Sequence, residues 1–307
     1  MAQRERWIAV LIVLPSILLI AIFVYGFIGW TAAVSFSEWD GIVPDYTWAG
    51  FENYNQLFNS ASVAGRRFTI DLWNTLFFTI FFLLICIAIG LLLAILLDQK
   101  IKGEGIFRTI YLFPMAISFV VTGVVWQWIF APGTASRPRG VNALLNMAGL
   151  DSLRWGWFTD TTEIGVFHVA LIPVIIAAAW QLIGYTMAMY LAGLRGVPEE
   201  LREAARVDGA TEIYIYRNIV LPILRPITLS ALIFLGHISL KIFDLIYTMT
   251  GKGPGFVTDV PGIFMFETTF QGNHYAQGAA ISSIMFVMVA LVIVPYLIFS
   301  LRQEVEI

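Results

Sequence analysis

One cysteine in 307 residues, Cys86, stands inside an apolar run. That excludes an intrachain disulfide and any metal site built on thiolates, and leaves Cys86 as a small buried apolar residue. No G-x-x-x-x-G-K-[ST] occurs, so the chain lacks the phosphate-cradling loop needed to hydrolyse ATP itself; Gly251-Lys252-Gly253 has the wrong spacing. No Gly-x-Ser-x-Gly elbow marks a hydrolase nucleophile, and no His, Cys or carboxylate cluster has metal-ligand spacing. An enzyme is not expected, and neither a metal nor a bound cofactor is. Internal repeats are missing too, and Asp244 is the one clear acid inside an apolar run, which disfavours an ion-coupled secondary transporter. Charge is scarce: 13% of residues are charged against 59% hydrophobic, too apolar a balance for an ordinary soluble domain.

What the chain does have is long runs free of charge, each sufficient to cross a bilayer. They predict an all-α integral membrane protein, a single transmembrane domain over 1–307, with six spans at about 8–30, 72–97, 107–131, 164–194, 227–250 and 276–301. Arg4 and Arg6 precede the first run, which is longer than the apolar region of a signal peptide. Thr31-Ala32-Ala33 imitates a cleavage site only weakly, so the first span is read as retained. Pro114 and Pro173 fall inside the third and fourth runs, where a break and a kink are expected, and the sixth run contains Pro295. The net charge of −3 says nothing about orientation, because Lys and Arg placement decides it. In this scheme Arg4, Arg6, Lys100, Lys102, Arg108, Arg195, Arg202, Arg206, Arg217, Arg225 and Arg302 lie on one side. Arg66, Arg67, Arg137, Arg139, Arg154 and Lys252 lie on the other. Eleven against six places both termini in the cytoplasm of a multi-pass cell-membrane protein.

Between the fourth and fifth spans, 195–226 is a charged loop facing the cytoplasm. Pro198 suits the first turn of a helix, and Glu199 and Glu200 follow where the helix dipole favours carboxylates. Val197, Leu201, Ala204, Ala205 and Asp208 share one face at helical spacing, with Arg202, Glu203 and Arg206 elsewhere. Gly209 ends that helix in a left-handed turn, and Thr211 caps a second short one reaching Ile219, stopped by Pro222. The pattern predicts a rigid helix–turn–helix at the membrane face, with small residues where a partner approaches closely.

Glu203-Ala204-Ala205, three residues, Gly209, nine residues and then Ile219-x-Leu221-Pro222 resembles the EAA loop of bacterial ABC-importer permeases. Three further elements resemble the carbohydrate importers of that family, the group of the maltose and glycerol-3-phosphate systems. They are Gly50-Phe51-Glu52-Asn53-Tyr54, Gly140-Val141-Asn142-x-Leu144-Leu145, and Phe243-Asp244-x-x-Tyr247 continuing to Thr250-Gly251-x-Gly253-Pro254. Lys252 stands where the family commonly has Gly. The resemblance implies one half of a membrane heterodimer, in which Glu203, Ala204, Ala205, Asp208, Gly209, Leu221 and Pro222 dock on an ATPase. The implied partners are a second related permease, two ATPase subunits that carry ATP and Mg, an extracytoplasmic solute-binding protein, membrane lipid and a carbohydrate, with no nucleic acid.

Within the fifth span Ser230, Phe234, His237, Lys241, Asp244 and Thr248 fall within roughly 80° of arc at ~100° per residue. Ionisable groups in hydrocarbon usually face protein or a water-filled cavity. Lys241 and Asp244, three apart, would pair on one face. This stripe either fixes helix packing or lines a path for a hydroxyl-bearing solute. Gln181, Tyr185, Gln127 and Trp126 are further candidates, since sugars bind through planar hydrogen-bonding groups and aromatic faces. The alternative roles are interface anchoring for Trp126 and Tyr185, and helix bridging for the two glutamines. Asn74, opening the second span, is a weaker candidate. A neutral mono- or disaccharide is the expected solute, with glycerol phosphate or another polyol as the alternative.

Overall fold

The computed structural model describes residues 2–99 and 101–305. Lys100 and the side chains of Arg4, Arg6 and Arg302, four of the cations counted for orientation, lie outside the described residues. In chain order, α1 (Ala2–Ile20) runs through a π-helical segment into α2 (Phe27–Val34), followed by α3 (Glu52–Phe58) and α4 (Val63–Asp98). Next come α5 (Glu104–Leu112), a 3-10 turn (Phe113–Ala116), α6 (Phe119–Ile129) and α7 (Gly140–Met147). A two-residue hairpin, β1 (Glu163–Ile164) and β2 (Phe167–His168), pairs Glu163 with His168 in antiparallel register. The rest is helical: α8 (Ile172–Arg195), α9 (Glu199–Val207), α10 (Glu212–Ile215), α11 (Leu221–Ile223), α12 (Arg225–Leu240), α13 (Asp244–Met249), α14 (Pro261–Phe266) and α15 (Tyr275–Val305).

By length and hydropathy Val10–Val34, Val63–Asp98, Val169–Arg195 and Tyr275–Ile298 each suffice to cross a membrane. Glu104–Ala116 with Phe119–Ile129, and Glu212–Ile223 with Arg225–Leu240, form pairs bent by 100° and 64°. The described residues thus hold four spanning helices, or six if each bent pair is one span.

Several expected boundaries move. The third run, 107–131, is not one helix. Its break lies beyond Pro114, at Ile117 and Ser118, both extended. Pro114 sits in the first turn of the 3-10 segment, where a missing N–H costs nothing. Ser118 Oγ then accepts from Val121 N at 3.3 Å and restarts the helix as its N-cap. In the fourth run 164–168 is strand and turn rather than helix, and Pro173 occupies the first turn of α8 without kinking it. The second run starts earlier than expected, at Val63, and the 251–273 loop contains α14 and a π turn (Glu267–Gln271).

The chain divides into two compact units, Met1–Thr69 with Phe264–Val287, and Ile70–Ile263 with Met288–Ile307. In the first, Arg67 and Glu267 pair at 2.8 Å while the Arg67 guanidinium lies 4.4 Å from the Phe264 ring centroid. Phe36 anchors an aromatic cluster with Trp48, Phe51 and Tyr54. The second unit has two apolar cores. One gathers Phe78, Phe82, Cys86, Leu171, Val174, Leu245 and Ile246, and the other Leu97, Met187, Tyr190, Leu194, Ile215, Val220 and Leu224. Small residues let its helices approach closely, as lipid-embedded packing favours. A Cβ on Gly184 would stand 1.8 Å from the Tyr111 carbonyl oxygen, and one on Gly123 would stand 2.0 Å from Thr248 Oγ1. Those contacts press α8 onto α5 and α6 onto α13.

Candidate functional site

The Glu199–Pro222 loop folds as its chemistry dictates. Glu199 and Glu200 open α9 after Pro198, and Gly209 takes φ +80°. Ala210 N donates to Ala205 O at 2.9 Å and Gly209 N to Arg206 O at 3.0 Å, the double closure of a Schellman end. Asp208 lies just past the helix, as its C-cap. Thr211 Oγ1 accepts from Tyr214 N at 3.4 Å and caps α10. Pro222 does not stop the second helix: the chain passes through a π segment (Tyr216–Val220) into α11, because Pro222 sits in that helix's first turn.

The faces of α9 differ from the helical-spacing reading. Val197 is buried and Ala205 packs on the second core, but Leu201 and Ala204 point outward. Arg202 takes the inward position. Its Nη1 donates to Asp98 Oδ2 at 3.0 Å and its Nη2 to the Leu194 carbonyl at 3.0 Å, which ties α9 to the ends of α4 and α8. Both partners of that ion pair are 11% exposed. Arg206 bridges Glu212 at 2.8 Å and Glu199 at 3.3 Å. The Arg206 guanidinium holds the Glu212 carboxyl below the usual carboxylate range. Glu203 is exposed and makes no hydrogen bond or ion pair among the described residues.

Among the exposed charged residues of this loop, large apolar side chains also face outward. Val207 is 87% exposed and Ile213 80%, with Leu201, Tyr214 and Leu221 also exposed. Beside them Ala205, Asp208, Gly209, Thr211, Tyr214 and Asn218 line an open cavity of 620 Å³. Arg202, Asp98, Val207 and Ile213 are functional candidates the pattern reading did not pick out. Val207, an apolar residue between Arg206 and Asp208, carried the signal; Ile213, in the run Ile213-Tyr214-Ile215-Tyr216, did not stand out.

The polar stripe is not continuous. α12 ends at Leu240, Lys241 and Phe243 leave helical geometry, and α13 restarts at Asp244. Buried Ser239 contributes: its Oγ donates to the Gly236 carbonyl at 2.8 Å, a local bond that competes with the helix ladder. The expected Lys241–Asp244 pair therefore does not form, and both side chains are exposed. Ser230 Oγ donates to the Pro226 carbonyl at 3.0 Å and lies 3.4 Å from Tyr296 Oη. His237 is half-buried, with Nδ1 enclosed and unpartnered. Thr248 Oγ1 donates to the Asp244 carbonyl at 2.6 Å.

Tyr185 joins the α12 half of the stripe, its ring 4.4 Å from Phe234. Gln181 does not. It is 2% exposed, and its Nε2 donates at 2.6 Å to the Ile117 carbonyl, which the break before α6 deprives of a helical donor. Trp126 stacks on Phe130 at 5.3 Å and meets Trp180 at 5.7 Å, a packing position. Gln127, one residue on, is exposed. Asn74 is buried; its Nδ2 donates to the Phe256 and Asp259 carbonyls, and its Oδ1 lies 2.8 Å from His168 Nδ1. Asn74 therefore ties α4 to two loops.

Residues 86–305 match the family of binding-protein-dependent transport system inner membrane components. The chain is 41% identical to a probable ABC transporter permease of Pyrococcus horikoshii, covering 96% of each chain. It is 36% identical to a xylose/arabinose import permease of Haloferax volcanii, covering 93% of this chain and 85% of that one. A trehalose/maltose transport system permease of Thermococcus litoralis is 28% identical over 96% of this chain and 94% of that one. The fold is that of a chain in a bacterial alginate ABC transporter solved with its pentasaccharide-bound periplasmic protein, at TM-score 0.75, 23% identity and coverage of 94% and 93%. The chain belongs to the inner membrane components of binding-protein-dependent transport systems and is an ABC transporter permease, a transport component rather than an enzyme.

Proposed function

We propose that this permease forms half of the translocation path of an ATP-driven sugar importer. It spans the membrane six times, each bent pair being one span, with both termini in the cytoplasm. It works beside a second related permease, two ATPase subunits that hold ATP and Mg, and an extracytoplasmic solute-binding protein. The relatives named for xylose/arabinose and trehalose/maltose support a neutral mono- or disaccharide.

The observation that carries the coupling role is the exposed apolar surface of Val207 and Ile213 beside unpartnered Glu203. A water-facing loop keeps such a surface when a partner covers it. The loop docks there on an ATPase subunit as the coupling helix. When ATP closes the ATPase pair, α9 moves with it, and Arg202 carries the displacement to the ends of α4 and α8. The membrane helices then open outward to accept solute.

Lys241 supports a second reading. Exposed and unpaired with Asp244, it offers a cation to a phosphorylated solute such as glycerol phosphate. Solute-stimulated ATP hydrolysis by the reconstituted complex separates the two when screened against neutral sugars, sugar alcohols and glycerol phosphates, with Lys241→Ala and Asp244→Ala alongside. Stimulation by a neutral sugar, with preference shifted by either substitution, supports the sugar path. Stimulation by glycerol phosphate alone, lost in Lys241→Ala, replaces it with the second reading.

A further inference from the structure

The external side of the first unit carries a surface that the transport reading leaves unused. The segment between α2 and α3 is folded rigidly. Glu38 N donates to the Thr47 carbonyl at 3.0 Å, Ala49 N to the Phe36 carbonyl at 2.7 Å, and Asn53 Nδ2 to the Ser35 and Ser37 carbonyls at 3.0 and 2.9 Å. Outside that frame stand Ile42, Val43, Tyr46 and Trp48, exposed at 83%, 77%, 62% and 70%. Four large apolar side chains on one extramembrane loop mark an interaction surface, and aromatic residues are enriched at the cores of protein interfaces. Tyr46 packs on Trp39 at 5.5 Å, and Trp39 lines a neighbouring cavity of 560 Å³.

The charge of that cavity selects its occupant. Glu38, Asp40 and Glu52 line it, with no Lys or Arg among the lining residues. Its His274 is already committed, Nδ1 lying 2.6 Å from Asp40 Oδ1. From Ser37 to Gly65 the chain carries four acids and no Lys or Arg. At the loop tip the Thr47 hydroxyl and N–H hold the Asp45 carboxyl below the usual range, so it too is anionic. Within the cavity wall the Trp39 ring is already stacked on Tyr275 at 4.8 Å. An apolar loop beside an acid-lined cavity fits a protein surface that inserts a guanidinium or ammonium group.

We propose that this loop and cavity are where the extracytoplasmic solute-binding protein docks, an Arg or Lys of that protein entering between Glu38 and Glu52 while Ile42–Trp48 forms the apolar contact. The inference rests on the importer reading above, which puts this loop outside. Its main wall, 37–56, precedes residue 86, where the family match begins, and includes Glu52 and Asn53 of the Gly50–Tyr54 element.

The test uses the full transporter complex in nanodiscs, where both faces are open, and the importer's own solute-binding protein as probe. Docking affinity is measured by biolayer interferometry for the unaltered complex, for Glu38→Lys with Glu52→Lys, and for Ile42→Ser with Trp48→Ser. Size-exclusion elution checks assembly of each. Each pair is expected to weaken docking at least tenfold, and an Arg→Glu or Lys→Glu change on the binding protein is expected to restore part of the loss with the charge-reversed permease only. Unchanged docking in both variants overturns the proposal. So does loss, in these variants, of direct sugar binding by the complex without binding protein, which would make the cavity a solute subsite. The orientation reading is checked separately with a Ser60→Cys variant, since Cys86 is fully buried and Ser60 is exposed. Labelling of intact cells by a membrane-impermeant maleimide is expected, and labelling from the cytoplasmic side alone would sink the orientation without touching the nanodisc result.

Discussion

The Arg202 guanidinium meets the Asp98 carboxylate at 3.0 Å, joining α9 to the last residue of α4. Each side chain is 11% exposed, so removing one partner leaves the other charge largely shielded from water. Breaking such a pair costs about 3 kcal/mol. Asp98→Ala and Arg202→Ala are each expected to lower the melting temperature of the complex and to cut uptake more than ATP hydrolysis. Charge exchange between the two positions is expected to recover part of both. Equal losses of uptake and hydrolysis would confine the pair to stability.

Gln181 is the clearest case where a candidate solute ligand turns out to hold the protein's own backbone. Gln181→Leu strands the Ile117 carbonyl at the bend before α6, a loss of about 1–3 kcal/mol for an unsatisfied buried group. Thermal unfolding of the purified complex should show that loss while the order of preferred solutes stays as it was. A changed order at unaltered stability would return Gln181 to the solute path.

Lys241 and Asp244 stand on either side of the break between α12 and α13, with no ion pair between them. A double-mutant cycle with Lys241→Met and Asp244→Asn, read by thermal unfolding, is expected to give a coupling energy below about 0.5 kcal/mol. A larger coupling would mean the two side chains do pair in the assembled transporter.

How far the chain could be read in advance follows from which interactions are local. The α9 loop was legible because Pro198, Gly209 and Thr211 each act within one turn of themselves; Gly209 and Thr211 stand where their chemistry assigns them, and Pro198 lies one residue ahead of the expected first turn, at the N-cap. The bends were not. Hydropathy registers an apolar residue alike in a straight helix and a broken one, and what stabilises the break at Ile117 is Gln181, 64 residues away. The inward turn of Arg202 depends in the same way on Asp98, 104 residues earlier, whereas helical spacing alone sends the guanidinium outward. The stripe in the fifth span assumed a continuous helix and failed at buried Ser239.

The link between α9 and α10 carries a definite pH signature. Arg206 lowers the Glu212 pKa from its ordinary value of about 4.3. The stabilisation from that ion pair is thus fully present above the ordinary carboxylate pKa and is lost as pH falls through the lowered folded value. No change is expected between pH 6 and 8. A carbon-13 NMR titration of Glu212 should give a midpoint below the usual range, returning to it in Arg206→Gln; an unchanged midpoint would remove the link.

The central claim is that the Val207–Ile213 surface passes motion between an ATPase and the membrane helices. The measurement that reaches it most directly is uptake and ATP hydrolysis on one proteoliposome preparation carrying Val207→Glu, a position 87% exposed. The account predicts a complex that inserts normally and still docks its binding protein, with uptake down at least tenfold and solute stimulation of hydrolysis abolished. Uptake and stimulation both at unaltered levels would contradict it.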